Sequence, residues 1–291
     1  MKESCFFRFM GLGLIILLLI ATECAAEKPA SADPQSGLVL QYRFPRDRAL
    51  AYKASSDKVQ NQKQMGQTLT STIKGDTNYC IQGAGVDDQN NLITRIVIDS
   101  INLTIKKPRG RATPDTSVLS GKSFGVTYSQ KGKEIEITGI EELPKIDLGM
   151  DGERSVKGFF TDLLPVLPDG AVKPGDTWTT PEDKSVQQDA LTFSVKGEAT
   201  NVFEGLETIR GMECVVIKTR LENTLQGSGM QSGMHLDIKG TVKVIATSYF
   251  AYKEGVLVKT TSNASEDIKI DAGIMTVPQK SETKSEIELV F

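Results

Sequence analysis

Histidine and tryptophan each occur once in 291 residues, aromatic residues make up only 6% of the chain, and there are four cysteines. A single histidine excludes multi-histidine metal centres. With His235 distant from Cys80 and Cys214, the cysteines spell no zinc set either, so no metal or cofactor is expected. Excess charge of one sign is also missing. The 34 basic and 37 acidic residues leave a net charge of −3, without the basic footprint that a phosphate backbone demands, and nucleic acid is excluded as the expected partner. No apolar run approaches the roughly 20 residues that a spanning helix needs. The longest, Phe9 to Ala21, stops at Thr22 and Glu23.

That run follows Lys2 and Arg8 and precedes small residues, which is the layout of a secretory signal. Cys24 and Ala26 stand three places and one place before a cut, so residues 1–26 are expected to be removed and the Pro-, Ala- and Ser-rich stretch up to residue 37 to serve as a flexible leader. Export to the periplasm or envelope follows, with no membrane span after processing. The alternative makes Cys24 the lipidated first residue of a lipoprotein. Glu23 opposes it, because lipoprotein processing wants a small residue there. In an oxidising compartment Cys80 and Cys214 could form a disulfide closing a very long loop; two unrelated thiols are the other reading.

Residues 38–291 are dominated by period-two alternation. Leu236, Ile238, Val242, Val244, Ala246 and Phe250 share one phase, with Asp237, Lys239 and Lys243 in the other, so one face is buried and one is wet. Val215, Ile217, Leu221 and Leu225 form a second such row, and Val195, Ala199 and Phe203 a third. The phase switches near Asp99 and Ser100, where a β-bulge is expected. Turn chemistry separates the runs at Asp87 to Asn91, Gln130 to Lys133 and Tyr252 to Gly255. A Lys-Gly pattern recurs at Gly75, Gly197 and Gly240, and the first two copies match over several further residues. It points to two similar halves, about 38–150 and 177–291, or to coincidence between Lys- and Gly-rich strands. Glycine inside long strands permits the bends that let a sheet curl. Between the halves, Val156, Phe159, Phe160, Leu163 and Leu164 fall at helical spacing before Pro165. A central amphipathic helix is therefore expected within the connecting segment 151–176, started by Asp151 and Glu153.

After this stripe, Leu167, Pro168, Val172, Gly175, Asp176 and Trp178 form a spaced Leu-Pro, Val, Gly-Asp, Trp motif. It resembles the central segment of a family of uncharacterised exported bacterial proteins, and Tyr42, Phe44 and Tyr52 resemble that family's start. The resemblance implies an antiparallel β fold with a central helix, broadly similar to half-barrel lipoprotein carriers, and it transfers no catalytic residues.

Chemical motifs are thin. Gly121 to Gly125 fits G-x-S-x-G and would make Ser123 a nucleophile with His235 as base, but a helix should follow the serine and the sequence there reads as strand. Glu134 and Glu136 share a phase and could pair as acids, though a solvated edge explains them as well. Asp147, Asp151 and Gly152 begin like a calcium loop that lacks its terminal glutamate. The cluster Lys106 to Arg111 reads as a solvated loop. The alternating end up to Phe291 could be the last strand of an outer-membrane barrel, yet the aromatic girdles are missing.

The expectation is thus a mainly β, non-enzymatic exported protein. Long curved antiparallel sheets and a helix enclose an apolar interior lined by Phe159, Phe160, Leu163, Val195, Ile238, Val242 and Val244. That interior is either a filled core or a site for a lipid or other hydrophobic ligand. The alternatives are an assembly module that binds another envelope protein, and a hydrolase using Ser123 and His235.

Overall fold

The computed structural model describes residues 37–291 apart from 65, 109, 149–151, 189–190, 232–233, 274 and 291. The signal, most of the leader, Cys24, Asp151 and Phe291 lie outside the described residues. In chain order the strands are β1 (Leu50–Gln64), β2 (Gln67–Val86), β3 (Leu92–Lys107), β4 (Gly110–Ala112), β5 (Ser123–Tyr128), β6 (Glu134–Thr138), β7 (Ile146–Asp147) and β8 (Glu153–Arg154). There follow β9 (Thr177–Gln188), β10 (Leu191–Ile209), β11 (Met212–Gln231), β12 (Met234–Ala251), β13 (Val256–Asp271) and β14 (Thr276–Val290). Twelve of them form one antiparallel sheet in the order β6-β5-β3-β2-β1-β14-β13-β12-β11-β10-β9, with β4 beside β3. The sheet is not closed by pairing between β6 and β9. β7 and β8 make a separate two-stranded ribbon.

Alternation decides which face is buried. Tyr52 on β1 stands opposite Tyr79 on β2 and Leu289 on β14, Tyr79 opposite Ile98, and Phe250 on β12 opposite Val215. All six are buried, at one end of the long strands. The phase switch in β3 is a bulge in which Asp99 has no partner: Tyr79 pairs Ile98 and Asn78 pairs Ser100. Without that extra residue Ile101, Leu103 and Ile105 would face water.

The core end is sealed by residues 38–44. Leu38 exchanges both backbone hydrogen bonds with Val172, Tyr42 N donates to the Gln130 carbonyl and Arg43 N to that of Gly255. The segment thereby ties two of the expected turns together. Gly255, at φ 73°, would put a Cβ 2.7 Å from Arg43 Cγ, so a side chain there is opposed both by conformation and by space. The Leu-Pro to Trp motif is the way into β9: Gly175 N donates to the Phe203 carbonyl, Phe203 N to Asp176 O, and Trp178 Nε1 to Val166 O.

The central helix is not formed. Val156–Phe159 is a single 3-10 turn capped by the Ser155 hydroxyl, which accepts from Lys157 N at 3.2 Å. Gly158 weakens the stretch, Pro165 ends it within nine residues, and so short an isolated helix is marginal. The chain instead reverses at Asp162, which has φ 54°. Val156, Phe160, Leu163 and Leu164 still reach the core, while Phe159 packs at its margin. Phe160 meets Tyr79 and Phe124 edge-on at 5.6 and 5.1 Å. The apolar side chains of this stretch reach the core or its margin as its spacing requires, but turns and not an α-helix carry them there.

Candidate functional site

Asp162 explains how the two ends of the strand order are related. Its backbone N–H donates to Glu134 Oε2 on β6 at 3.1 Å, and its carboxylate accepts from Lys184 Nζ on β9 at 2.7 Å. β6 and β9 are ten steps apart in the sheet, which would separate them by roughly 48 Å at about 4.8 Å per strand if the sheet were flat. One residue can touch both only if the sheet wraps round, with the core-side face on the inside.

Beyond the core end, that inner face continues as apolar rows. Ala199, Leu221, Val244 and Ala264 face one another across β10 to β13, and Val195, Leu225, Gly240 and Ile268 form the row four residues further out. Val195, Leu221, Leu225, Val242, Val244 and Ile268 are half-buried. Ile238 lies further out still and is buried. The residues expected to line one cavity therefore divide: Phe160 and Leu163 belong to the filled core, whereas Val195, Ile238, Val242 and Val244 sit on the inner face outside it.

Between the two apolar rows runs a third. Glu182, Gly197, Asn223, Val242, Glu266, Ser281 and Gln60 are successive cross-strand partners from β9 to β1. This polar belt crosses an otherwise greasy surface. Lys58, two residues from Gln60 along β1, reaches over β14 to Glu266 Oε2 at 2.8 Å, and Ser281 Oγ donates to the same oxygen at 2.5 Å. At the other end Lys184 pairs with Glu182 at 2.9 Å as well as with Asp162. Burial works against the Lys184 ammonium, but its hydrogen bonds to Asp162 and Glu182 outweigh it and hold its pKa above the usual lysine value.

Asn223 is the exception within the belt. It is 8% exposed and its Oδ1 accepts from no group among the described residues. The other asparagine of this face, Asn201, is satisfied: its Oδ1 accepts from Thr219 Oγ1 at 2.7 Å and its Nδ2 lies against Trp178 O and Thr180 Oγ1. Asn223 Oδ1 lies only 2.2 Å from where a Cβ on Gly197 would stand. Glycine at 197 is therefore what admits the carboxamide.

A second charged cluster sits at the seam. A register shift in β5–β6 leaves Ile135 unpaired and exposed, so Glu134 opposes Tyr128 while Glu136 opposes Thr127. The two glutamates thus fall on different faces, against the expectation from their spacing. Burial raises the Glu134 pKa above its ordinary value, partly offset by the Asp162 N–H. Tyr128 is fully buried beside it, with a hydroxyl that has no partner among the described residues.

Other candidates are not assembled. Ser123 opens strand β5, with no helix behind it, and its Oγ accepts from Arg95 at 3.1 and 2.9 Å. His235 is solvent-exposed on β12, 3.7 Å from Asp237, so the two never meet as nucleophile and base. Both thiols are free: Cys80 donates to Asp99 at 3.4 Å and buried Cys214 to the Met212 carbonyl at 3.5 Å. Burial pushes Cys214 up to about 11. Among the described residues no three His, Cys, Asp or Glu side chains cluster as metal ligands, and no helix is long and apolar enough to cross a membrane. Two shallow grooves of about 480 and 430 Å³ lie mainly over outward charged residues such as Asp267, Lys280, Lys74 and Asp57. Neither is lined by Val195, Ile238, Val242 or Val244.

The belt could have been read from the sequence. Lys58 stands in phase with Tyr52 and Ala54, Asn223 with Leu221 and Leu225, and Glu266 with Ala264 and Ile268. Polar residues at core-phase positions are the signal, set among apolar neighbours of the same phase on the same strands.

No protein-family model matches this sequence, and no curated protein matches it. A solved structure of a DUF1329 family protein from Desulfovibrio piger aligns with 81% of this chain and 85% of its own, at 12% identity and a TM-score of 0.15. A likeness at that TM-score carries no argument about fold, family or activity.

Proposed function

We propose that this chain is an exported, non-enzymatic protein of the bacterial envelope that holds a lipid or other hydrophobic ligand against the inner face of its wrapped sheet, in the manner of half-barrel lipoprotein carriers. One observation carries the reading: Val195, Leu221, Leu225, Val244 and Ile268 form apolar rows inside the wrap that are only half-buried, although the filled core lies elsewhere. Half-covered apolar rows flanking a few convergent polar groups are the usual make-up of a small-molecule site. The basic start and apolar run of residues 1–26 support export. Native mass spectrometry of protein recovered from the envelope should reveal a releasable lipid-sized adduct. Recovery of bare protein alone, with no lipid uptake on later incubation, would remove the proposal.

A further inference from the structure

The belt limits what such a ligand carries at its polar end. Its two cations are already committed, Lys58 to Glu266 at 2.8 Å and Lys184 to Glu182 and Asp162 at 2.9 and 2.7 Å. An anionic headgroup would have to break one of these pairs and meet the carboxylate left behind. What the belt leaves unmet is an acceptor. Asn223 Oδ1 is buried between apolar rows, without a partner among the described residues, and aimed into the gap in the side-chain layer that Gly197 creates. An unpaired acceptor in such surroundings is costly, and a ligand that donates to it recovers that cost. Ala199 and Val195 flank the gap along β10 and Val242 lies beside Asn223 on β12, so an acyl chain has apolar contact on either side of a donating group.

Resting on the ligand-binding reading above, we propose that the inner-face belt is a headgroup site for an uncharged, hydroxyl-bearing acyl amphiphile, with Asn223 Oδ1 accepting from the ligand hydroxyl. Monooleoylglycerol, methyl oleate and oleate present the same chain with a donor, without a donor and with a negative charge. Displacement of a bound fluorescent apolar probe from the full exported chain would rank them. The expected order is monooleoylglycerol ahead of methyl oleate by about tenfold, the value of one hydrogen bond to a buried acceptor, with oleate no better than the ester. Asn223→Leu should abolish that preference, bringing monooleoylglycerol and methyl oleate to equal affinity, and Asn223→Ala reads the same difference should the leucine variant misfold. Equal binding of glycerol ester and methyl ester would overturn the assignment, as would a preference for oleate or a preference that survives at Asn223→Leu. Binding of the methyl ester in those cases leaves the parent reading standing. Failure of every acyl ligand to displace the probe overturns both.

Discussion

Asn223 and Lys58 show how single polar residues on an apolar face are handled in opposite ways. Lys58 and Glu266 neutralise each other, and Ser281 adds a second hydrogen bond to the carboxylate. Removing one member strands a part-buried charge, so Lys58→Met should lower stability by about 1–3 kcal/mol. The double variant Lys58→Met/Glu266→Leu should recover most of the loss, because an apolar pair of similar size needs no compensation. A double variant as unstable as the single one in urea unfolding would show that the pair is not coupled. Asn223 Oδ1 has no such hydrogen bond to lose. Replacing it by leucine removes an unsatisfied acceptor and should raise stability by about 1 kcal/mol, read as a higher unfolding midpoint; a lower midpoint would mean that the carboxamide is supporting the sheet. Stability and ligand preference are thus expected to move in opposite directions at this position, which separates a retained binding group from a structural one.

At the scale of elements, the long strands are legible because alternation runs unbroken for many residues, whereas the connecting segment is not. Val156 to Leu164 has helical spacing, but spacing records only where apolar side chains must go. Gly158, Pro165 and the left-handed turn at Asp162 determine how they get there. Bulges were legible only where they shift several residues: the slip at Asp99 moves three apolar side chains, whereas that at Ile135 separates just Glu134 from Glu136. The second slip matters electrostatically. Glu134 has a raised pKa in the folded chain, so the folded state binds more protons than the unfolded one between the ordinary glutamate pKa and the raised value. Stability therefore falls as pH climbs through that window and stays reduced above it. Glu134→Gln keeps an acceptor for the Asp162 N–H without the buried charge, and should raise the melting temperature at pH 7 while leaving it unchanged at pH 3. An equal effect at both pH values would assign it to packing. Gly197 provides the corresponding steric test within a strand. A Cβ there would lie 2.1 Å from Glu222 O and 2.2 Å from Asn223 Oδ1, so Gly197→Ala should cost about 1–3 kcal/mol in denaturant unfolding. A neutral outcome would mean that β10 and β11 are further apart than described. The edge strand β9 carries Pro181 and the charges of Glu182, Asp183 and Lys184, which discourage pairing with another chain and weigh against the assembly-module alternative.

For the whole molecule, everything inside the sheet depends on its two ends being brought together, and the sequence offers no sign of this because the contact joins residues from three separated segments. Asp162 holds its left-handed backbone while its N–H serves β6 and its carboxylate serves β9. Alanine is poorly suited to that conformation and removes the carboxylate, so Asp162→Ala weakens both links at once. The core end should survive, since residues 38–44 seal it through Val172, Gln130 and Gly255 independently of residue 162. Amide exchange followed by mass spectrometry should then accelerate in β6 and β9 together, with β1 and β14 at the middle of the strand order unchanged and the buried amides of Ile98 and Ile217 still slow. Acceleration at one edge alone would mean that Asp162 does not bridge the two, and the inner face would lose the wrap on which ligand binding depends. Parallel acceleration at both edges, accompanied by weaker displacement of the apolar probe by methyl oleate, would tie closure of the seam directly to occupancy of the apolar rows.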